Sequence, residues 1–321
     1  MKVVIPGGSG QVGTVLARAF VRDGHNVVVL SRRPQDEPRT TAPWLIVAWD
    51  GETLGPWTTE LEAADCVINL AGTSVNCRYH AANRRRIIES RVRSTRAVGQ
   101  AIARAASPPR VWLQASTATI YSHRYDAAND EARGILGGLE FGAPDSWRFS
   151  IDVAKAWEQA AGELVVPRTR KVLLRSAMMM SPDRGGIFDT LLGLVQRGLG
   201  GTCGDGRRFV SWIHEHDFVR AVNRLIDDET FAGPVNLAAP VPLPNVEFMR
   251  ELRDAWGRSF GLPASRWMLE LGAVFFRTET ELILKSRRVV PRRLLDAGFS
   301  FEFPTWAEAA RELCHRSRGG Q

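Results

Sequence analysis

Short apolar runs separated by amphipathic stretches recur along the first half of the chain. Val3-Val4-Ile5, Val27-Val28-Val29-Leu30, the run from Trp44 to Trp49, Cys66-Val67-Ile68-Asn69-Leu70, Val111-Trp112-Leu113 and Val172-Leu173-Leu174 are nearly continuous in hydrophobic residues. Runs of that length and pattern are expected of strands covered on both faces. Between the first two, Val12, Val15, Leu16, Ala19 and Phe20 recur at helical spacing and predict a helix to Asp23. A long helical stretch follows over 81–106, and another carries 151–158. Alternation of this kind specifies an α/β fold with a doubly wound parallel sheet.

The pattern loosens after the sixth run. Gly185-Gly186 opens a helix to Val195, Phe209 to Ile213 reads as a short strand, and His216 to Ile226 reads as a helix capped near Glu215. Gly233 to Leu237 is a further strand, and Asn245 caps a helix that Gly257 stops after Trp256. From about residue 262 the chain is apolar-periodic and rich in arginine, which predicts a helical tail beneath a substrate cleft. The expected division is a sheet domain over 1–180, with return segments from about 209–240, and a smaller lobe over 181–321. The polar segment from His123 to Trp147 exceeds an ordinary connector, so it reads as a lid or a flap.

Composition changes this picture little. The 321 residues are 44% hydrophobic and 24% charged, as in an ordinary globular protein. No run approaches the roughly 20 apolar residues of a membrane span, and no basic and apolar leader opens the chain, so a cytoplasmic location is expected. The four cysteines lack metal-site or disulfide spacing, and Cys66 reads as a small core residue. The formal net charge of +7 comes with arginine clusters at 84–96 and 287–293. No nucleic-acid-binding motif accompanies them, so a solvated helix face or an anionic cofactor explains them better. A monomer or homodimer acting on a small molecule is expected.

The chemistry begins at the first turn, where Gly7, Gly10 and Gly13 lie between the first strand and the first helix. One glycine allows a tight turn, one lets a pyrophosphate approach the backbone, and one lets helix and strand pack closely. The amides of Gln11, Val12 and Gly13 then open the helix, whose positive end favours phosphate. The second strand ends at Ser31-Arg32-Arg33, where an NAD site usually carries an acid for the ribose hydroxyl. A hydroxyl and two guanidiniums suit a 2′-phosphate, which points to NADP(H). Asp50 ends the third strand, placed either to bond adenine or to cap the turn with Gly51. Leu70, Ala71 and Gly72 end the fourth and leave room for a dinucleotide to cross the sheet edge, while Arg91 and Ser116 are placed beside it.

Several stretches together resemble the atypical, extended branch of the short-chain dehydrogenase/reductases, the "nucleoside-diphosphate-sugar epimerase" family that ends in a DUF1731 domain. They are Gly7 to Gly13, Val67 to Gly72, Ser90 to Arg96, Ala156-Trp157-Glu158, Ser211 to His214 with Asp217, Gly233 to Asn236, and Arg288 to Leu294 with Gly298-Phe299. The similarity runs over essentially the whole chain and places the DUF1731-like region at about 262–315. It implies a Rossmann-type domain, NADP(H) and a substrate lobe.

Most short-chain dehydrogenases use a serine or threonine and a Tyr-x-x-x-Lys pair, in which a nearby cation favours the phenolate of a group whose unperturbed pKa is about 10; the branch this chain resembles generally lacks that pair. Tyr79, Tyr121 and Tyr125 all lack a lysine four residues later. Alignment on Trp157-Glu158 puts Ser150 at the tyrosine position and Ala154 at the lysine position, with Lys155 one residue late and turned by about 100° on a helix. Thr117 keeps the hydroxyl position, and Tyr121 and Lys155 remain as candidates for the proton transfer. The resemblance places His214 and Asp217 at a strand-to-helix junction beside the substrate cleft. His214-x-His216 alone does not make a metal set, and no metal is expected. The alternative is a catalytically silent NADP(H)-binding sensor.

Overall fold

The computed structural model describes residues 1–33, 42–140, 144–263 and 285–319. Seven strands form one parallel sheet in the spatial order β10-β6-β5-β4-β1-β2-β3. They are β1 (Lys2–Pro6), β2 (Asn26–Ser31), β3 (Leu45–Ala48), β4 (Cys66–Asn69), β5 (Val111–Thr117), β6 (Arg170–Ser176) and β10 (Gly233–Leu237). The order reverses between β1 and β4, and a doubly wound sheet opens its ligand crevice at that point.

Helices cover both faces, which is why the strands are apolar on both sides. Val15, Leu16 and Phe20 of α1 (Gln11–Arg22) and Phe218, Val222 and Leu225 of α5 (Glu215–Asp227) pack on one face with Ile5, Val29 and Leu113. Val98, Ala101 and Ile102 of α2 (Ala81–Arg104) and Ala161 of α3 (Asp145–Gly162) pack on the other with Val4, Val67 and Trp112.

A third core lies beyond the sheet edge. It joins α4 (Ile187–Gln196), α6 (Asn245–Trp256) and α8 (Trp306–Gly319) through Phe188, Phe248 and Trp306. The Trp306 ring stacks on Phe248 with centroids 4.1 Å apart and donates its indole N–H to Phe248 O at 2.8 Å. A short helix, α7 (Arg292–Asp296), precedes it. The part of the expected helical tail over 264–284 lies outside the described residues, and 285–291 run without helix.

Several expectations are corrected. The strand expected over 209–213 divides at Ser211 into β8 (Phe209–Val210), antiparallel to β11 (Leu243–Pro244), and β9 (Trp212–His214), parallel to β7 (Met178–Met180). Ser211 Oγ accepts from Val289 N and donates to Arg287 O, so the break is where the tail is tied in. The cap of α5 lies beside Glu215 as expected, and it is His214, whose ring accepts from His216 N. Asn245 starts α6 but turns its side chain to Cys203 N instead of capping. Gly257 does stop that helix, at φ 78°.

The segment after β5 is neither lid nor flap over its described part. Ser122 N donates to Ile135 O and Gly137 N to Ile120 O. Asn129, 1% exposed, exchanges backbone bonds with Arg288 O and Val290 N. Glu131 accepts from Asn236 N at 2.8 Å. This segment braces the tail against β10.

Candidate functional site

A groove of about 270 Å³ lies at the switch point. Gly7, Ser9 and Gly10 form one wall, Ser31, Arg32 and Asp50 one end, and Leu70, Ala71 and Gly72 the other wall. Gly7 has φ +76°, and a Cβ there would fall 2.6 Å from Ala71 Cα, so the turn requires glycine. A Cβ on Gly13 would lie 2.4 Å from the Gly8 backbone, which lets helix and loop touch. Gly8 is a second packing glycine that the motif spacing did not single out. At Gly10 a Cβ would meet nothing closer than Gly7 O at 3.8 Å, so the space there is open toward the groove.

The opening turn of α1 is left for an anion. No side chain caps it and no acid stands in its first turn. The N–H groups of Gln11, Val12 and Gly13 precede the first intrahelical bond, Thr14 N to Gly10 O. Gln11 Nε2 is buried without a partner among the described residues. Its carboxamide lies where a Cβ on Gly186 would stand, so the loop before α4 rests against the glycine loop. The residues present fit a dinucleotide.

At the other end, Ser31 Oγ lies 3.4 Å from Ser9 Oγ and accepts from Arg33 N at 3.3 Å. Arg32 and Arg33 are exposed. Arg32 lines the groove; Arg33 stands just outside its lining. Asp50 resolves toward the turn. It accepts from Glu52 N, Thr53 N and Thr53 Oγ1. Burial raises its pKa, but these hydrogen bonds outweigh it and hold the carboxyl below the usual range. Trp49, Thr73 and Ser90 also line the groove, and sequence reasoning did not single them out: Trp49 and Thr73 follow strands without a motif, and Ser90 opens a matching stretch read only as part of the resemblance.

A second cavity of about 340 Å³ adjoins the ends of β5 and β6. Thr117 and Ser150 line it, as do Phe149, Val153, Trp157, Met178 and Arg287. Arg91 belongs to this cavity and not to the groove's lining. It packs behind Gly72, where a Cβ would lie 3.2 Å from its side chain, and stacks over Trp157 at 4.9 Å. Arg287, read as part of a charge cluster, turns inward and donates to Thr119 Oγ1 at 3.1 Å. Its neighbour Arg288 covers Phe209 at 4.4 Å instead.

Other candidates lie elsewhere. Tyr121 is 2% exposed. Its hydroxyl donates to Asn236 Oδ1 and accepts from Arg175 Nη1, each at 2.9 Å. Burial pushes its pKa above 10.0 despite Arg175, the opposite of what a proton donor at neutral pH needs. Ser116 is also turned away, donating to Glu158 Oε1 at 2.6 Å within the same buried network, where Glu158 pairs with Arg175. Lys155 Nζ donates to Gly137 O at 2.7 Å and does not line the cavity. Ala154 is fully buried.

His214 and Asp217 do not reach the cavity either. Both are fully buried. His214 Nε2 bonds Glu312 at 2.8 Å and its ring lies 4.0 Å from Phe303. Asp217 accepts from Glu302 N and Phe303 N. The pair fastens the C-terminal segment to the start of α5. Among the described residues, no three of His, Cys, Asp and Glu gather as a metal set, and no helix is long and apolar enough to cross a membrane.

A parallel sheet with a glycine turn at its switch point defines a Rossmann-type protein of the short-chain dehydrogenase/reductase kind. Residues 3–134 match the NAD dependent epimerase/dehydratase family, and residues 264–313 match the domain of unknown function DUF1731. The chain is 31% identical over 317 residues to the epimerase family protein SDR39U1 of Bos taurus, covering 98% of this chain and 99% of that protein. The chain belongs to this epimerase family. The crystal structure of human SDR39U1 (isoform 2) with NADPH superimposes with a TM-score of 0.84 at 28% identity, over 98% of this chain and 99% of that one. A nucleoside-diphosphate sugar epimerase from Corynebacterium glutamicum gives 0.74 at 27% identity, over 98% of this chain and 58% of that one.

Proposed function

We propose that the chain binds NADPH in the groove and exchanges hydride between its nicotinamide and a small molecule held in the adjoining cavity. It is then an oxidoreductase or epimerase-like enzyme without the Tyr-x-x-x-Lys pair. The observation that carries this reading is the end of β2, where Ser31 and Arg32 line the groove in place of an acid. A guanidinium answers a 2′-phosphate, whereas a carboxylate would repel it. The relative crystallised with NADPH supports the same cofactor.

The residues that would hold the cofactor are Gly7, Gly10 and the first amides of α1 for the pyrophosphate, and Ser31, Arg32 and Arg33 for the 2′-phosphate. Leu70, Ala71 and Gly72 would flank the crossing. When bound, the nicotinamide supplies or accepts the hydride. Thr117 is the hydroxyl placed to bond a substrate oxygen, with Ser150 in the same cavity at the position where most short-chain dehydrogenases carry the tyrosine. The lobe over 181–321 is read as the substrate side. A second reading, a silent sensor of the NADPH/NADP⁺ ratio, is favoured by Ser150 and Ala154 at the tyrosine and lysine positions.

Fluorescence titration tests the cofactor: NADPH is expected to bind at least about 10-fold more tightly than NADH. Equal affinities would remove the assignment. NADPH oxidation across a panel of carbonyl compounds, with deuterium exchange at the nicotinamide C4, then separates the two readings. Exchange supports the enzyme, and its absence supports the sensor.

A further inference from the structure

Arg91 is a cation without a counter-ion among the described residues. Its Nη1 donates to Thr73 O at 2.9 Å and Ile87 O at 3.1 Å. These are neutral carbonyls, and no carboxylate among the described residues pairs with the guanidinium. Its other donors, Nε and Nη2, have no partner among the described residues. Burial lowers its pKa to about 10, which still leaves it charged at neutral pH. A half-buried guanidinium held over the Trp157 ring and bonded to two backbone carbonyls is oriented before any ligand arrives, so little entropy is lost on binding.

What surrounds Arg91 is mostly carbon. Val75, Phe149, Val153, Trp157, Met178 and Ile187 line the cavity. The polar groups that share it are the hydroxyls of Tyr79, Thr117, Thr119, Ser150 and Ser176 and the Arg287 guanidinium. At about 340 Å³ the cavity is at the small end of small-molecule sites. A nucleotide sugar would bring two phosphates and a hydroxyl-rich ring against these walls, leaving many polar groups unpaired. A compact hydrophobic body with one negative charge matches both the walls and the unmet donors.

We propose that the cavity binds a small, largely apolar organic carboxylate, with its carboxylate on Arg91 and its hydrocarbon part against Trp157, Phe149 and Val153. The proposal rests on the hydride-transfer reading only in taking such a compound as the cofactor's reaction partner. The carboxylate accepts from the Arg91 donors that point away from Thr73 and Ile87. The other end of the molecule then faces Thr117.

The test titrates the full-length protein calorimetrically with naphthalene-2-carboxylate, the neutral naphthalene-2-carboxamide and UDP-glucose, with and without saturating NADPH. The carboxylate is expected to bind about 10- to 100-fold more tightly than the carboxamide, the discrimination of a charge-assisted hydrogen bond. Arg91→Met is expected to erase that difference, and Arg91→Lys to keep most of it. Because Arg91 also holds two backbone carbonyls, the comparison of ligands on the unaltered protein stands even if Arg91→Met does not fold. Equal binding of the two naphthalenes, no binding of the carboxylate, or tighter binding of UDP-glucose would overturn the proposal. So would a loss of NADPH affinity in Arg91→Met as large as the loss for the carboxylate. Failure of NADPH to bind the unaltered protein would instead sink the cofactor reading, and the carboxylate preference measured without NADPH would still decide this one.

Discussion

The Tyr121 hydroxyl donates to Oδ1 of Asn236 at 2.9 Å, joining the end of β5 to β10 across the intervening β6. A residue that follows the end of a parallel-sheet strand, where catalytic groups gather, is here part of a buried structural network. Arg175 and Glu158 complete a buried network that does not line the cavity. Tyr121→Phe leaves Asn236 and Arg175 each short of one partner. It is expected to cost about 1–3 kcal/mol in denaturant unfolding. NADPH affinity should stay within about 2-fold, since the hydroxyl lies outside the groove. A large loss of affinity without loss of stability would contradict this placement.

Two glycines of the same loop should fail in different ways. Gly13→Ala drives a Cβ to 2.4 Å from backbone and is expected to cost more than about 3 kcal/mol of stability. Gly10→Ala has room and should cost at most about 1 kcal/mol, the difference between alanine and glycine at a helix N-cap. Its Cβ nevertheless enters the space left for phosphate, so NADPH binding should fall at least about 10-fold. Thermal unfolding and fluorescence titration together separate the two.

Arg32→Ala is expected to weaken NADPH by about 10-fold and leave NADH within about 2-fold, since only the first carries the extra phosphate. The ratio of the two affinities is the informative quantity.

Acid should loosen the C-terminal segment. Burial raises the Glu312 pKa, but the His214 hydrogen bond and charge, with Arg316, outweigh it and hold the carboxyl below its ordinary 4.5. A depressed carboxylate stabilises the fold above its unfolded-state pKa, and that contribution is lost as pH falls through the lower folded value. Unfolding followed between about pH 6 and pH 3 should therefore show a steeper loss in the unaltered protein than in Glu312→Gln.

Trp306 is the anchor of that segment, 1% exposed and stacked on Phe248. Trp306→Ala is expected to cost about 3–5 kcal/mol. Trp306→Phe, which keeps the stacking and loses the bond to Phe248 O, should cost about 1–2 kcal/mol.

The sheet was legible because its strands are buried on both faces, so β1, β2, β4 and β5 announce themselves as apolar runs. The groove was legible because backbone geometry demands glycine at Gly7 and Gly13. What escaped was set by contacts distant in sequence. Nothing local distinguishes Tyr121 in a buried network from a tyrosine in a cleft, since Asn236 is 115 residues away. His214 and Asp217 serve backbone groups and a glutamate of the C-terminal segment, which a strand-to-helix pattern does not reveal. β7 and β11 are too short to carry a period. Arg287 looked like one charge among several because its direction depends on the tie at Ser211.

The cavity and the groove are written in different parts of the message. Among the described residues, every one that lines the groove lies at or before Ser90, whereas the cavity draws on chain from Val75 to Arg287. On the ribosome, where N-terminal segments emerge first, the nucleotide-facing surface is translated long before its neighbour has all its walls. A chain released early carries the sequence of the first and lacks part of the second.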